Sequence, residues 1–406
     1  MQTSVLIVGA GLAGASLAAA LGSVGVATVL IDRDPPDQRL DPKADGRTTA
    51  VSLASRRVLE AAGVWQGVAD RASPIWSIQI SDHASPAAMD YDHRDVGEEP
   101  FGHIVDNQLL RRAQLDRLAE LPSVTVLAPA ALDTLERTSA TATARLADGT
   151  EIRAELVVGA DGRGSTVRRS AGIEVMSWRY NQTAIACCMS HELPHNGMAL
   201  EHFMPGGPFA VLPMIDREDG SHRSSIVWTE RPDRAKAMAA LDEAAFSREL
   251  QWRVGDHLGR VALSGGRWTY PLGVLHAKRY TDTRLALISE AAHAIHPIAG
   301  QGLNMGFRDI ATLAELVVDR ARLGLDAGAP DLLRAYERWR LFDNVSLVAI
   351  TDGLNRLFSN RSLALRGVRG AGLSVVGRIS PLKKVFMRHA MGLMGDLPRT
   401  LRGRPL

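Results

Sequence analysis

The 406-residue chain is predicted to be an α/β protein: a parallel-sheet domain, interrupted by a β-rich insertion and followed by a helical region. Three observations predict this. Strand–helix–strand patterning fills residues 1–70, strand-like alternation dominates 178–275, and the chain beyond 330 is helical.

The first strand is the apolar run Val5 to Val8. Gly9, Gly11 and Gly14 follow at G-x-G-x-x-G spacing, and Ala15 to Leu21 continues as an Ala/Leu helix. Each glycine has a physical task. Gly9 permits the tight turn, Gly11 lets backbone approach a pyrophosphate, and Gly14 lets the helix lie close on the strand. The helix start adds unpaired N–H groups and a partial positive charge. A second apolar run, Ala27 to Ile31, ends in Asp32, 18 residues past Gly14, where a strand end presents a carboxylate to a ribose hydroxyl. Together these features point to a dinucleotide.

Further along, helical patterning covers Asn107 to Ala119, and strands follow near Val124–Leu127, Ala142–Leu146 and Glu151–Val158. The segment 76–100 is mixed and polar. Ala184–Met189, Phe209–Met214 and Ser225–Trp228 read as an antiparallel sheet around one helical stretch, about 233–255. Residues 285–320 return to strand, loop and helix.

Two more glycine-rich loops follow apolar strands. Leu156 to Val158 leads into Gly159, Asp161, Gly162 and Gly164, then a helix capped by Ser165. Arg284 to Ile288 leads into Ser289-Glu290 and on to Pro297, Gly300, Gln301, Gly302, Leu303 and Asn304. Gly300 and Gly302 let backbone amides approach a flat ring or an anion, and the helix starting near Gly302 aims its positive end at the same point. That arrangement suits an isoalloxazine, whose N1–C2=O edge becomes negative on reduction.

Composition bounds the function. Apolar residues make up 46% and charged residues 23%, as in a folded globular protein. The two cysteines, Cys187 and Cys188, are adjacent and face opposite sides of a strand, which excludes a disulfide scaffold and fits a reducing compartment. No basic leader precedes the first strand and no uncharged apolar run reaches ~18 residues, so a cytoplasmic protein is expected. His293 and His296 are three apart, but no third ligand has metal-site spacing, and no Ser/His/Asp arrangement is evident.

The net charge of +2 hides an asymmetry. From Thr351 to Leu406, eleven Lys/Arg stand against Asp352 and Asp396, a balance of +9, which leaves −7 for the rest. Basic residues there interleave with Val, Leu, Phe and Met, a pattern suited to an anionic membrane surface or partner docking, or equally to helices packed on the first domain with a solvated basic face. Aromatics are too sparse in this basic region for nucleic-acid binding.

Three segments carry a family resemblance: Asp45-Gly46-Arg47-Thr48-Thr49-Ala50-Val51-Ser52, Phe203 through Pro213, and His293 through Asp309. With the glycine loops in this order, the chain resembles the flavin-dependent aromatic hydroxylases of p-hydroxybenzoate-hydroxylase-like fold, and among them the ubiquinone-biosynthesis hydroxylases. The resemblance implies a Rossmann-like FAD-binding domain with an inserted β-rich substrate domain and a C-terminal helical region. The expected boundaries are 1–75, 101–177 and 281–340 for the FAD-binding domain, 76–100 and 178–280 for the substrate domain, and 341–406 for the basic helical region.

The same resemblance assigns roles. Gly9, Gly11, Ala13 and Gly14 hold the FAD pyrophosphate, with Asp32 and Arg33 at the adenosine ribose. Arg47 lies beside the flavin on its substrate side. Arg112 contacts the ribityl and phosphate region, and Asp161 shapes the site shared with NAD(P)H. Pro297 and Gly300 to Asn304 contact the isoalloxazine. The family usually has Gly-Asp where this chain has Ser289-Glu290. Glu290 keeps the charge with a longer arm, and FAD affinity is expected to fall ~10-fold as a result.

The implied reaction is hydroxylation of a polyprenylated phenol, using NAD(P)H and O2 through a flavin C4a-hydroperoxide. Attack is easier from a phenolate, and His202, Tyr180 and Trp228 are the candidate side chains on the substrate domain. Two alternatives stand beside this reading. One is a hydroxylase of a small soluble aromatic. The other is a flavin-poor structural or lipid-presenting subunit of a quinone-biosynthesis complex. A protein docked peripherally at the inner face of the membrane fits the lipid-soluble substrate.

Overall fold

The structure, a computed structural model, describes residues 1–41, 45–82, 88–358 and 380–406. Among them, one sheet runs in the order β17 (Thr281–Asp282), β18 (Leu285–Leu287), β11 (Glu151–Gly159), β1 (Gln2–Val8), β2 (Thr28–Ile31) and β8 (Val124–Leu127). The pairs β18–β11, β11–β1, β1–β2 and β2–β8 are all parallel. β10 (Ala142–Leu146) joins β11 to β9 (Leu132–Arg137) in an antiparallel flap.

β1 is apolar on both faces because both are covered, as a parallel sheet requires. Helix α1 (Leu12–Gly22) is apolar all round and buried from Ala13 to Gly22. It lies between the sheet and helices α4 (Asn107–Ala119) and α8 (Gln301–Arg322), and Gln114 of α4 donates to the Leu12 carbonyl at 2.8 Å and to Ser16 Oγ at 2.7 Å. Shorter helices α2 (Pro36–Leu40), α3 (Leu53–Ala61) and α5 (Thr166–Ser170) follow strands or loops at the same end.

The second sheet is ordered β19 (His293–Ala294), β16 (Val261–Ala277), β12 (Val175–His191), β15 (His222–Glu230), β14 (Gly207–Pro213), β13 (Met198–Met204), β5 (Ser77–Asp82) and β6 (Ala88–Asp92). The mixed segment 76–100 thus supplies the last two strands at one end of this sheet. The expected single helix near 233–255 is corrected to two, α6 (Pro232–Ala239) and α7 (Glu243–Val254). Asp242 restarts the helix by accepting the Ala245 N–H at 2.7 Å. A small sheet of β3 (Thr48–Ser52), β7 (Gly102–Asp106) and β4 (Ser73–Pro74) lies between the large ones, where Thr48 Oγ1 donates to Ser225 Oγ at 2.8 Å.

The second sheet has two differently used faces. Ile185, Cys187, Leu200, Phe209 and Trp228 pack outward under Ala235, Phe246 and Leu250 of α6 and α7. Cys188, Ala199, Phe203, Leu212 and Met214 alternate with them and pack inward against Ala50, Leu53, Ile104, Met387 and Met391. The inward face therefore looks at the first domain.

Helices α9 (Pro330–Phe358) and α10 (Ser380–Ala390) complete the described chain. The run of basic and apolar residues in the tail extends through 359–379, which lie outside the described residues. α9 is held to α8 by the ion pairs Arg308–Asp343 and Arg320–Asp331 and, in the core, by the Asp309 carboxylate. Asp309 Oδ1 accepts from Arg340 Nε at 2.8 Å and Asn344 Nδ2 at 3.2 Å, and Oδ2 accepts from the Ser289 N–H at 2.9 Å and His293 Nε2 at 2.5 Å.

Burial alone would raise the Asp309 carboxyl, but the His293 and Arg340 charges and their hydrogen bonds outweigh it and hold it well below the usual carboxylate range. A depressed carboxyl contributes stability that is complete above its unfolded value near ~4 and is lost as pH falls through the folded value. Asp309→Asn is expected to lower the unfolding free energy by about 3–5 kcal/mol, because the buried Arg340 then keeps only the partly exposed Asp343 as a counter-charge. Urea denaturation at pH 7 measures the loss, and the gap to wild type should shrink in acid.

Candidate active site

The three glycine loops meet because their strands are neighbours. They leave the carboxyl ends of β1, β11 and β18, and backbone bonds tie those ends together: the Ala160 N–H donates to Val8 O at 2.8 Å and the Ile288 N–H to Gly159 O at 3.0 Å. Ligand clefts in parallel sheets form at this edge.

The glycines divide the work as their spacing predicts. Gly9 has φ +107°, and a Cβ there would strike the Ala160 backbone. A Cβ on Gly14 would collide with the Gly9 carbonyl, so this glycine lets α1 pack on the turn. Gly11 and Gly302 differ from both: a Cβ on either meets nothing within 4 Å, so their backbone faces open space. α1 and α8 begin at Gly11 and Gly300, and neither start is capped by a side chain. These first-turn N–H groups are what a diphosphate and a reduced flavin ring require. The residues present thus fit FAD.

Asn304 builds the α8 end of the cleft. Its Oδ1 accepts the Ser52 N–H at 3.0 Å, and its Nδ2 donates to Ala50 O at 2.9 Å and Gly300 O at 3.1 Å. This side chain clamps β3 to the turn at Gly300. Gly300 is left-handed, with φ +61°, and lies against Ala50. Pro297 opens the same turn, Gln301 lines a small void with Asn304, and Leu303 packs on the main core. Ala13 is buried at the start of α1.

Arg47 is held by a bidentate pair with Asp45, Nε to Oδ1 at 2.8 Å and an Nη to Oδ2 at 2.9 Å. Asp45 also accepts from Arg111 at 3.1 Å. Burial pushes the Asp45 carboxyl up, but bonding to Arg47 and the charges of Arg47 and Arg111 bring it down to about 2. The guanidinium stands 4.7 Å from the Tyr270 ring centroid, and Gly46 lets the loop lie flat on Trp268, where any Cβ would collide. A cavity of about 470 Å³ opens here, lined by Arg47, Gln108, Cys188 and Trp268 among others. A fixed cation, two aromatic faces and an apolar sheet can position an aromatic ring beside a flavin.

The other residues expected at the cofactor make these contacts within the chain. Arg112 is exposed on α4, and Gln108 and Arg111 are the side chains of that helix that reach the Asp45 loop. Asp161 turns back to start α5, accepting from Ser165 Oγ at 2.5 Å and the Thr166 N–H at 2.6 Å. Asp32 accepts the Ala10 N–H at 2.5 Å and the Asp34 N–H at 2.9 Å, which fixes the first glycine turn, while Arg33 is exposed. Glu290 is exposed and pairs with Arg163 at 3.1 Å. Ser289 stands where the family usually has glycine, and its φ is +53°, a left-handed conformation that a glycine adopts at lower cost.

The substrate candidates also move. Trp228 lies in the outer core, between Phe209 and Phe246 with Arg253 stacked at 3.8 Å, because position 228 faces α6 and α7. His202 shares the outward side with Leu200 and Met204, and its Nδ1 bonds Ser81 Oγ at 2.6 Å. Tyr180 is nearer the isoalloxazine loop. Its hydroxyl donates to Asp352 at 2.6 Å and its ring meets His296 edge-on at 5.3 Å. Trp268 and Tyr270 were not singled out from sequence, although their i, i+2 spacing on one strand put them on one face.

The FAD binding domain family matches residues 2–343. The ubiquinone hydroxylase UbiL of Rhodospirillum rubrum is 48% identical over 405 residues, 99% of this chain and 93% of that protein. The chain belongs to the flavin-dependent ubiquinone-biosynthesis hydroxylases. The 3-demethoxyubiquinol 3-hydroxylase of Escherichia coli K12 is 33% identical, over 96% of this chain and 99% of that one. In fold, p-nitrophenol 4-monooxygenase PnpA of Pseudomonas putida DLL-E4 superposes with a TM-score of 0.79 at 19% identity, over 97% of this chain and 99% of that chain. The protein is an FAD-dependent monooxygenase.

Two substitutions separate holding the flavin from holding the fold. Gly11→Val is expected to leave a folded, colourless protein, since its side chain projects into space that the pyrophosphate fills. Gly14→Ala is expected to lower stability by about 1–3 kcal/mol through overpacking. Flavin absorbance and thermal unfolding check both.

Proposed function

We propose that this chain hydroxylates the aromatic ring of a polyprenylated phenol or quinone precursor on the route to ubiquinone, consuming O2 and NAD(P)H. The balance is one ring C–H, O2, NAD(P)H and a proton giving ring C–OH, NAD(P)⁺ and water. FAD, when bound, takes the hydride and activates oxygen.

The observation that carries this reading is the position of the glycine-loop cleft opposite the inward sheet face. The backbone at Gly11 and Gly302 holds the two ends of an elongated cofactor. Arg47, locked by Asp45, keeps a positive charge at the cavity mouth across the working pH range. Trp268 and Tyr270 form an aromatic wall, and Ala50, Ala199, Phe203 and Leu212 supply a dry surface for the ring.

The prenyl substrate also gives the exposed end of the molecule a use. Phe342 and Val345 on α9 and Val385 and Phe386 on α10 are exposed, and Lys384 and Arg388 stand beside the last two. Among the described residues no helix is long and apolar enough to cross a membrane. This surface suits peripheral contact with an anionic bilayer, where the substrate dissolves.

Purified protein supplied with NAD(P)H, O2 and a 2-prenylphenol should yield hydroxylated product, and a deletion strain should accumulate the unhydroxylated precursor. Normal quinone in that strain sinks the assignment. For the surface, Lys384→Glu with Arg388→Glu should weaken co-sedimentation with phosphatidylglycerol vesicles. At about 1 kcal/mol per basic residue the two changes amount to a ~30-fold loss. Unchanged sedimentation removes the membrane reading.

A further inference from the structure

We propose that Glu201 is the group that accepts the phenolic proton of the substrate, an assignment that rests on the hydroxylase reading above. Three observations place it. First, strand parity puts Glu201 on the inward face. Ala199 and Phe203 pack inward while Leu200 and Met204 pack outward, so position 201 points at the first domain.

Second, register sets it in the same cross-sheet row as the cavity wall, four strands from Trp268. Glu201 pairs with Ala210 on β14 and Ile80 on β5, and the same row runs through Val227 and Ala186 to Trp268, which lines the cavity. Its neighbours Ala199 and Phe203 belong to the apolar cluster that includes Ala50. A Cβ on Gly300 would sit 3.0 Å from the Ala50 Cβ, so this cluster borders the isoalloxazine loop.

Third, among the described residues no cation or hydrogen-bond donor is paired with the Glu201 carboxyl. It keeps accessible surface although protein surrounds it, as a group in the wall of a cleft does. Burial alone pushes it up to about 7. The ionisable groups on the packed elements do not compete. β14 presents Pro208, Ala210 and Leu212 on this face. Asp82 on β5 is buried with a partner of its own. Tyr91 on β6 is pushed up by burial to about 12, and Lys383 on α10 is paired with Asp95 at 2.9 Å.

The step is a proton transfer. The phenol O–H bond breaks, its electron pair stays on oxygen, and the proton passes to a Glu201 carboxylate oxygen. The ring, now closer to a phenolate, is the better nucleophile toward the activated oxygen. Glu201 returns the proton to water as product leaves. A base near neutral pH suits this task, and His202, next in sequence, faces away.

The test uses the FAD-loaded enzyme with NAD(P)H, O2 and a 2-prenylphenol, followed from pH 6 to 8. Wild type should show product formation rising through about pH 7. Glu201→Gln, which keeps the shape and removes the base, should lose ~100-fold or more in hydroxylated product. It should also lose the pH limb and release H2O2 in place of product. Glu201→Gln with the wild-type rate and pH limb overturns the proposal. So does a wild type with no limb between pH 6 and 8, whatever the variant does. A wild type that consumes NAD(P)H and never hydroxylates a phenol overturns the underlying reading instead.

Discussion

The structure depends on the buried Asp309 carboxylate and its four donors. They come from the loop after β18, from β19 and from α9, so one side chain sets the path of residues 289–293 and seats α9 on α8. Removing a carboxylate from water is costly, and complete pairing offsets that cost. Because the loop that follows carries Pro297 and Gly300 into α8, a core interaction sets the path of the third glycine loop at the cleft.

Around that anchor, the active site follows from strand order. β18, β11 and β1 are consecutive in the sheet though far apart in sequence, so their three loops emerge side by side. The second sheet closes over them with one face, and its other face is committed to α6 and α7. A residue there contributes to chemistry or to packing according to its parity along the strand.

Parity also explains what the sequence made legible. The glycine spacing carried its meaning unaided at Gly9 and Gly14, because their tasks are local steric ones. The strands and helices of the first domain were legible for the same reason. The outward placing of His202 and Trp228 was not legible, because polarity alone does not reveal which face of a two-sided sheet looks inward. Trp268 and Tyr270 required the register of β16.

The partners of polar residues near the loops were not legible in the sequence. Asp161, Asp32 and Glu290 are near the expected cleft in sequence, yet their carboxylates hold backbone or a neighbouring arginine. Ser289 shows the reverse: its place in a glycine position was visible in the sequence, and its left-handed backbone locates the cost. The central claim, that three loops cradle one FAD, is tested most directly by titrating flavin-stripped protein with FAD and following quenching of flavin fluorescence. The account predicts saturation at about one FAD per chain, with a dissociation constant on the order of micromolar or tighter. Failure to saturate at ~100-fold higher concentration contradicts it.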